Sequence, residues 1–378
     1  VREASVLDFT SALYLGFDHA WRDLPEWTRL TLGKPAALED PPLTGDVQSE
    51  LAELIGCRRA VLAPSTLHAF WDLFEMLARR GMSALVDKDS YPISKWGVDR
   101  AAARGMPVHS FKAGDWQNLI CRAQQMHRPV VVTDGYVPGV GKTAPLARYV
   151  DFVKAQGGMV VVDDTQALGI LGRSPDQGAP YGRGGGGSLR RAGIEDDRVV
   201  VISSLAKAFG APVAVLAGSE DLVAGFERES ATRVHCSPPS QAVIVAALCA
   251  LHMNRSCGDA NRMRLAGLVA LLKQGLRRLD LVGTSDLFPV QTLLVPENAA
   301  EELHGLLLSR GVKTVLHNGR NPWKARISFV ITARHTPQDI RRALASLANA
   351  LRSSSPDLWR EWRQRRDGHE LEFRSRII

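Results

Sequence analysis

Short runs of β-branched residues alternate with longer stretches of helical period through the first two thirds of the chain. Arg128-Pro-Val-Val-Val-Thr is followed by a helical pattern after Pro145 and then by Gly158-Met-Val-Val-Val-Asp, the alternation expected of βαβ units. Strands that are apolar at every position are buried on both faces, so these predict a mostly parallel sheet covered by helices. The helical period places such helices at Val47–Ile55, Thr66–Arg80 and Pro145–Gln156. From about Asn254 the texture changes to amphipathic helices over Arg262–Leu279, Ala300–Arg310 and Pro337–Leu351, with strands at Phe288–Val295 and Ala325–Ile331. That is the pattern of a smaller α+β domain. The expected division is an N-terminal arm over 1–45, a large doubly wound α/β domain over 46–253, a small domain over 254–352 and an appended basic tail over 353–378. The four glycines 184–187 follow a Pro and Gly cluster and read as a mobile loop, a candidate lid.

Composition narrows the class. A chain of 378 residues with 45% hydrophobic and 23% charged residues can bury a sizeable core, which excludes a largely disordered, collagenous or coiled-coil protein. The longest apolar stretch, Ala242 to Leu251, falls short of the roughly 18 residues that span a bilayer, and Val1-Arg-Glu does not open a signal peptide. A cytoplasmic protein without a membrane role is expected. The five cysteines form an odd set with no C-x-x-C pair, and the ten histidines show no H-E-x-x-H, so neither a disulfide framework nor a metal site is expected. The net charge of +7 suits anionic small molecules as well as nucleic acid, and nucleic acid is not the expected partner. Gly139-Val-Gly-Lys-Thr imitates the end of a Walker A loop, but Tyr136 stands where the first phosphate-cradling glycine belongs.

Four sites carry candidate chemistry. Lys207, in Val199-Val-Val-Ile-Ser-Ser-Leu-Ala-Lys-Ala-Phe-Gly, follows a buried strand. Partial desolvation there favours the neutral amine that condenses with a carbonyl, although a lone strand-end lysine can equally point to water. Ser204, three residues earlier, could reach a phosphate from the same turn. Asp163 closes the apolar run Val160-Val-Val-Asp at the carboxyl end of a strand, where open α/β sheets bind ligands; Asp164 alternates to the other face and reads as structural. Val61-Leu-Ala-Pro-Ser-Thr-Leu-His is a strand, a turn and a helix start. Its free N–H groups form an anion site to which Ser65 and Thr66 add hydroxyls, unless these simply cap the helix. Arg326, in Lys324-Ala-Arg-Ile-Ser, starts a strand and could clamp a carboxylate in bidentate fashion.

Taken together, these residues resemble the α-oxoamine synthases of the fold-type I pyridoxal phosphate (PLP) enzymes, over about Leu7 to Leu351. Val131-Val-Thr-Asp-Gly-Tyr-Val-Pro-Gly-Val-Gly-Lys-Thr-Ala-Pro-Leu is similar to the family segment TDGVFSMDGDIAPL, and Asp163 to Gly172 to DEAHSxGxLG. Tyr181-Gly-Arg-Gly and Ser204-Leu-Ala-Lys-Ala-Phe-Gly are similar to HGRG and TLSKAFG. The resemblance implies PLP as cofactor and a homodimer. It places Lys207 on the Schiff-base lysine, Asp163 on the acid facing the pyridine nitrogen and Arg326 on the substrate carboxylate. Thr66 and Ser204 fall on phosphate contacts, and Ser65, Leu67 and Asp134 are further cofactor contacts. Tyr91 stands where the family has a ring-stacking histidine, and Gln166 where it has the histidine of DEAH that contacts the phenolic oxygen. Stacking survives the first change, whereas a titratable imidazole is lost in both.

The family reaction runs through an external aldimine and a quinonoid, which attacks an acyl thioester on coenzyme A or a carrier; the resulting β-keto acid can lose carbon dioxide. The expectation is therefore a PLP-dependent acyltransferase forming a carbon–carbon bond in a specialised biosynthetic pathway. An aminotransferase or a β- or γ-replacement enzyme shares the early steps, and a degenerate PLP-binding paralogue is the non-enzymatic alternative.

Overall fold

The computed structural model describes residues 6–124, 126–138, 141–281, 283, 284, 286–295, 297–317 and 326–354. The chain divides into two compact units. One comprises Leu15–Val137 and Lys142–Met263; the other comprises the chain up to Tyr14, Pro138–Gly141 and the chain from Arg264 onward. Most of the expected basic tail lies outside the described residues.

In the first unit, seven of the described strands form one sheet. Their order is Arg59–Ala63, Ala214–Gly218, Val199–Ser204, Met159–Asp163, Pro129–Asp134, Ser83–Asp87 and Val108–Phe111. Ala214–Gly218 runs antiparallel to both neighbours and every other pairing is parallel, as the uninterrupted valine runs lead one to expect. Val160, Val161 and Val162 are all buried, with Val131 beside Val160 and Val201 beside Val162. The helix Thr66–Arg79 buries Phe70, Leu73, Phe74 and Leu77, which pack with Val132, Val161 and Ile202 of the sheet in one core. Each such large apolar side chain contributes about 1.5–3 kcal/mol by leaving water. Helix Thr44–Ile55 starts three residues before the expected Val47, and Leu146–Lys154 falls within the expected Pro145–Gln156.

The second unit has a three-stranded antiparallel sheet in the order Val290–Leu294, Arg326–Val330, Val315–His317, with helices Glu297–Ser309 and Pro337–Ser353. The last helix opens with a capping box in which Thr336 and Asp339 satisfy each other's backbone N–H groups. Residues 6–14, expected to be part of an arm over 1–45, belong to this unit. Leu7 and Asp8 pair in parallel with Val312 and Lys313, and the fully buried Phe9 stacks on His335 with ring centroids 4.4 Å apart.

The division near 254 also shifts, because Asn254–Met263 stays with the first unit. The cause is Arg262, only 2% exposed, which donates to the Gly169 carbonyl and the Asn254 side chain (both 2.8 Å) and to Asp259. Asp259 in turn accepts the Gly184 N–H at 2.9 Å. This cluster corrects the reading of 184–187 as a mobile lid. Gly185, Gly186 and Gly187 are buried, and Gly187 opens the helix Gly187–Ala192. A Cβ at Gly185 would collide with Arg262, at Gly186 with the Leu54 carbonyl and at Gly187 with the Asp164 carboxylate. Gly185 and Gly187 also have positive φ, 72° and 86°. Gly185, Gly186 and Gly187 are there for close approach, and Gly185 and Gly187 also for left-handed backbone.

Among the described residues no helix is long and apolar enough to cross a membrane, and no cluster of three or more His, Cys, Asp or Glu could hold a metal ion.

Candidate active site

The parallel strands of the first unit deliver their carboxyl ends to one edge of the sheet, and with them the candidate residues. Asp134 and Asp163 are register partners at the ends of adjacent strands. Ser204 lies opposite Ala214, which lies opposite Ala63, so the Ser204–Lys207 turn and the Ser65–Thr66 turn leave the same end of the sheet.

Lys207 sits half-buried in the turn after Ser204. That turn is held by the Leu205 N–H to the Val213 carbonyl (2.8 Å) and by the Ala206 N–H to Ser204 Oγ (3.2 Å). The Lys207 ammonium donates no hydrogen bond among the described residues. Burial pushes its pKa below the usual lysine value, against the pull of Asp163 and Asp134.

Asp163, 6% exposed, accepts the Thr165 N–H at 3.1 Å on Oδ1. Burial raises its pKa, while the Thr165 hydroxyl and N–H and the Lys207 charge oppose the shift. Asp134 is pushed up to about 7, first by burial and then by the neighbouring charge of Asp163, with the Tyr91 N–H working the other way. Both Asp134 oxygens lie 3.1 Å from that N–H, so the carboxylate fixes the backbone of Tyr91 at the start of helix Pro92–Ala102. The Tyr91 side chain is exposed.

Ser65 stands at the N-cap of Thr66–Arg79, but its side chain does not cap the helix. Its Oγ lies 2.8 Å from His68 Nδ1 instead. The first-turn N–H groups of Thr66, Leu67 and His68 therefore face the turn without a side-chain cap, the arrangement in which a helix end receives an anion. Gln166 is half-buried in the tight turn 164–168. Arg326, half-buried, begins the central strand of the second unit opposite His317 and Leu294, and is described there by itself. The structure thus gathers Lys207, Asp163, Asp134, Tyr91, Gln166, Ser204, Ser65, Thr66 and Leu67 in the first unit.

Two residues escaped the sequence reading. Thr165 bonds to both the Asp163 and the Ser204 segments; the only advance signal is a hydroxyl where the DEAH segment has alanine. His19, whose Nε2 lies 2.7 Å from the Phe209 carbonyl, braces the turn that carries Lys207, and nothing local in the sequence marks it.

Asp164 turns away from this group, and its Oδ2 accepts the Ser188 N–H at 3.0 Å. Burial raises its pKa to about 7, against about 3.9 in an unfolded chain. A raised acid contributes stability that is complete below the unfolded value and is lost as pH rises through the folded one. Asp164→Asn keeps the acceptor for Ser188 and removes this titration. The melting temperature of the variant minus that of the parent is expected to increase from pH 5.5 to pH 8, and a constant difference would contradict the assignment.

A desolvated lysine amine without a hydrogen bond among the described residues, a buried acid and an uncapped helix N-terminus at one sheet edge fit the amine-reactive aldehyde, ring nitrogen and phosphate of PLP. Comparison with known proteins points the same way. Residues 5–347 match the family of aminotransferases class I and II. The 8-amino-7-oxononanoate synthase of Halorhodospira halophila is 30% identical over 321 residues, covering 82% of this chain and 76% of that enzyme. The fold is similar to that of a serine palmitoyltransferase from Sphingomonas wittichii, with a TM-score of 0.80 at 18% identity over 92% of this chain and 88% of that one. It is also similar to a serine palmitoyltransferase variant from S. paucimobilis solved with a PLP–myriocin adduct, with a TM-score of 0.79 at 18% identity and the same coverage.

Proposed function

The chain belongs to the aminotransferase class I and II family, and on that premise we propose that it is a PLP-dependent transferase that joins an amino acid to an acyl thioester through a new carbon–carbon bond. The observation that carries the reading is the Lys207 amine, desolvated and without a hydrogen-bond partner among the described residues, under the influence of Asp163 and Asp134 at the carboxyl end of the sheet. Its likeness to an 8-amino-7-oxononanoate synthase supports the acyl-transfer assignment over transamination.

PLP bound here supplies an aldehyde for an amine and a ring that draws electron density from the amino acid's α-carbon. Lys207 Nζ would hold that aldehyde, and Asp163 would hold the proton on the ring nitrogen. The Ser65, Thr66 and Leu67 turn and Ser204 receive the phosphate. Tyr91 would cover the ring face and Gln166 would donate to the phenolic oxygen, with Asp134 fixing the Tyr91 backbone. Burial favours the neutral amine, so Lys207 Nζ, once the amino acid's own amine has displaced it from the aldehyde, could take the proton from the amino acid's α-carbon. Arg326 clamps the substrate carboxylate in this reading. The α-carbon would then bond to the acyl carbon as the carbon–sulfur bond breaks, the thiolate leaving with the proton that Lys207 took, and loss of the carboxyl group as carbon dioxide would leave the α-carbon to take a proton from water.

The reading includes a cytoplasmic homodimer that takes its acyl group from coenzyme A or a carrier protein; gel filtration giving only monomer at micromolar protein would contradict the oligomeric part. The decisive assay supplies the holoenzyme with a panel of amino acids and acyl thioesters. Thiol release that requires both substrates supports the proposal. Keto-acid release without a thioester would assign the protein to transamination, and no response to any amino acid would leave a PLP-binding paralogue.

A further inference from the structure

Resting on the PLP reading above, we propose that Thr165 is a positioning residue whose hydroxyl ties Asp163, at the ring-nitrogen end of the cofactor site, to the Ser204 turn at the phosphate end. The argument begins with the backbone hydrogen bonds where the two strands part. Asp164 donates its N–H to the Ile202 carbonyl at 2.8 Å, and a parallel ladder would next have the Ser204 N–H donate to the Asp164 carbonyl. That carbonyl is already taken. The chain turns sharply after Asp164, and the Ala167 and Leu168 N–H groups reach the same oxygen at 3.0 and 2.9 Å. The Ser204 N–H donates instead to Thr165 Oγ1 at 3.1 Å, so the hydroxyl replaces the missing ladder acceptor.

Direction follows from this. With Oγ1 accepting from Ser204, the hydroxyl proton is available to the Asp163 carboxylate, whose Oδ1 already accepts the Thr165 N–H at 3.1 Å; the hydroxyl and the N–H both favour the ionised carboxylate. The Ser204 N–H donating to Thr165 Oγ1 and the Thr165 N–H donating to Asp163 Oδ1 thus place one residue between the acid and the Ser204 turn. The same serine uses its Oγ to accept the Ala206 N–H at 3.2 Å, which fixes the turn that presents Lys207. Alanine at 165, as in the DEAH segment, would leave the Ser204 N–H without this acceptor and Asp163 without one of its two local donors.

The test compares wild type, Thr165→Val, Thr165→Ala and Thr165→Ser. Each apoenzyme is titrated with PLP, and kcat and KM are then measured with the amino acid that the wild type accepts. Thr165→Val and Thr165→Ala are expected to raise the PLP dissociation constant about 10-fold or more, the effect of losing one hydrogen bond to a charged group. They should lower kcat with little change in amino-acid KM, because Thr165 acts through Asp163 and not on the substrate. Thr165→Ser should restore both quantities to near the wild-type level. Wild-type PLP affinity and kcat in both the Val and Ala variants would overturn the proposal. So would a serine variant as impaired as the valine one, or a lowered apoenzyme melting temperature with PLP affinity unchanged. A wild-type protein that binds no PLP would instead overturn the functional reading on which the proposal rests.

Discussion

Lys207→Ala is expected to lower turnover at least about 10³-fold, within the range of losses when a positioned proton-transfer group is removed, and to abolish covalent retention of PLP. Two properties of the residue make the effect large. Its amine is the desolvated nucleophile of the site, pushed toward the neutral form by burial, and among the described residues it is the lysine whose charge acts on Asp163, whereas Lys95 acts on Asp134 alone of the two. Removing it should not unfold the chain, because the turn around it is held by backbone bonds such as Leu205 to Val213 and by the Ser204 side chain, none of which involves the Lys207 amine. Borohydride reduction of the wild-type holoenzyme followed by peptide mapping should place the label on Lys207, with none incorporated in the alanine variant. Label on any other lysine, or a variant with turnover within tenfold of the parent, would refute the assignment.

The parts of the fold set by local pattern were legible in advance. Val160-Val-Val-Asp is apolar at each strand position, so its burial between neighbours and the placement of Asp163 at a carboxyl end follow from period alone. The same holds for Pro337–Ser353, whose start at Pro337 is marked by Thr336 and Asp339. What was not legible depends on partners far away in sequence. Nothing in Leu7-Asp-Phe says that it pairs with Val312, so the first residues read as an arm. The four glycines at 184–187 look flexible because composition reports what a backbone is free to do and not what surrounds it; Arg262, Leu54 and Asp164, all distant in sequence, fill the space at Gly185, Gly186 and Gly187. Within the site, the acid, the lysine and the phosphate turn each follow a strand or open a helix and could be named. The tie from Asp134 to the Tyr91 backbone and the Thr165 link to Ser204 arise only once the ends of four strands are brought side by side.

That juxtaposition also determines how much Asp163 should matter. Opposite charges about 4 Å apart at an effective dielectric near 20 interact by about 4 kcal/mol, which corresponds to about 10³ in rate if the interaction is expressed in the transition state. Asp163→Asn preserves the side-chain shape and the acceptor for the Thr165 N–H while deleting the charge. Its kcat is therefore expected to fall about 10²–10³-fold with PLP still attached to Lys207, which separates it from the lysine variant. The apoenzyme should respond in the opposite sense. Burial raises the pKa of Asp163, so its contribution to stability is complete below the unfolded carboxyl value and is lost as pH rises through the folded one. The neutral asparagine escapes that loss, and the melting temperature of the apo variant should gain on that of the apo parent as pH increases. An asparagine variant with parental turnover would mean that the ring-nitrogen proton is held elsewhere. A variant whose apo form loses stability relative to the parent as pH rises would mean that the buried carboxylate is already matched by a cation in the empty site.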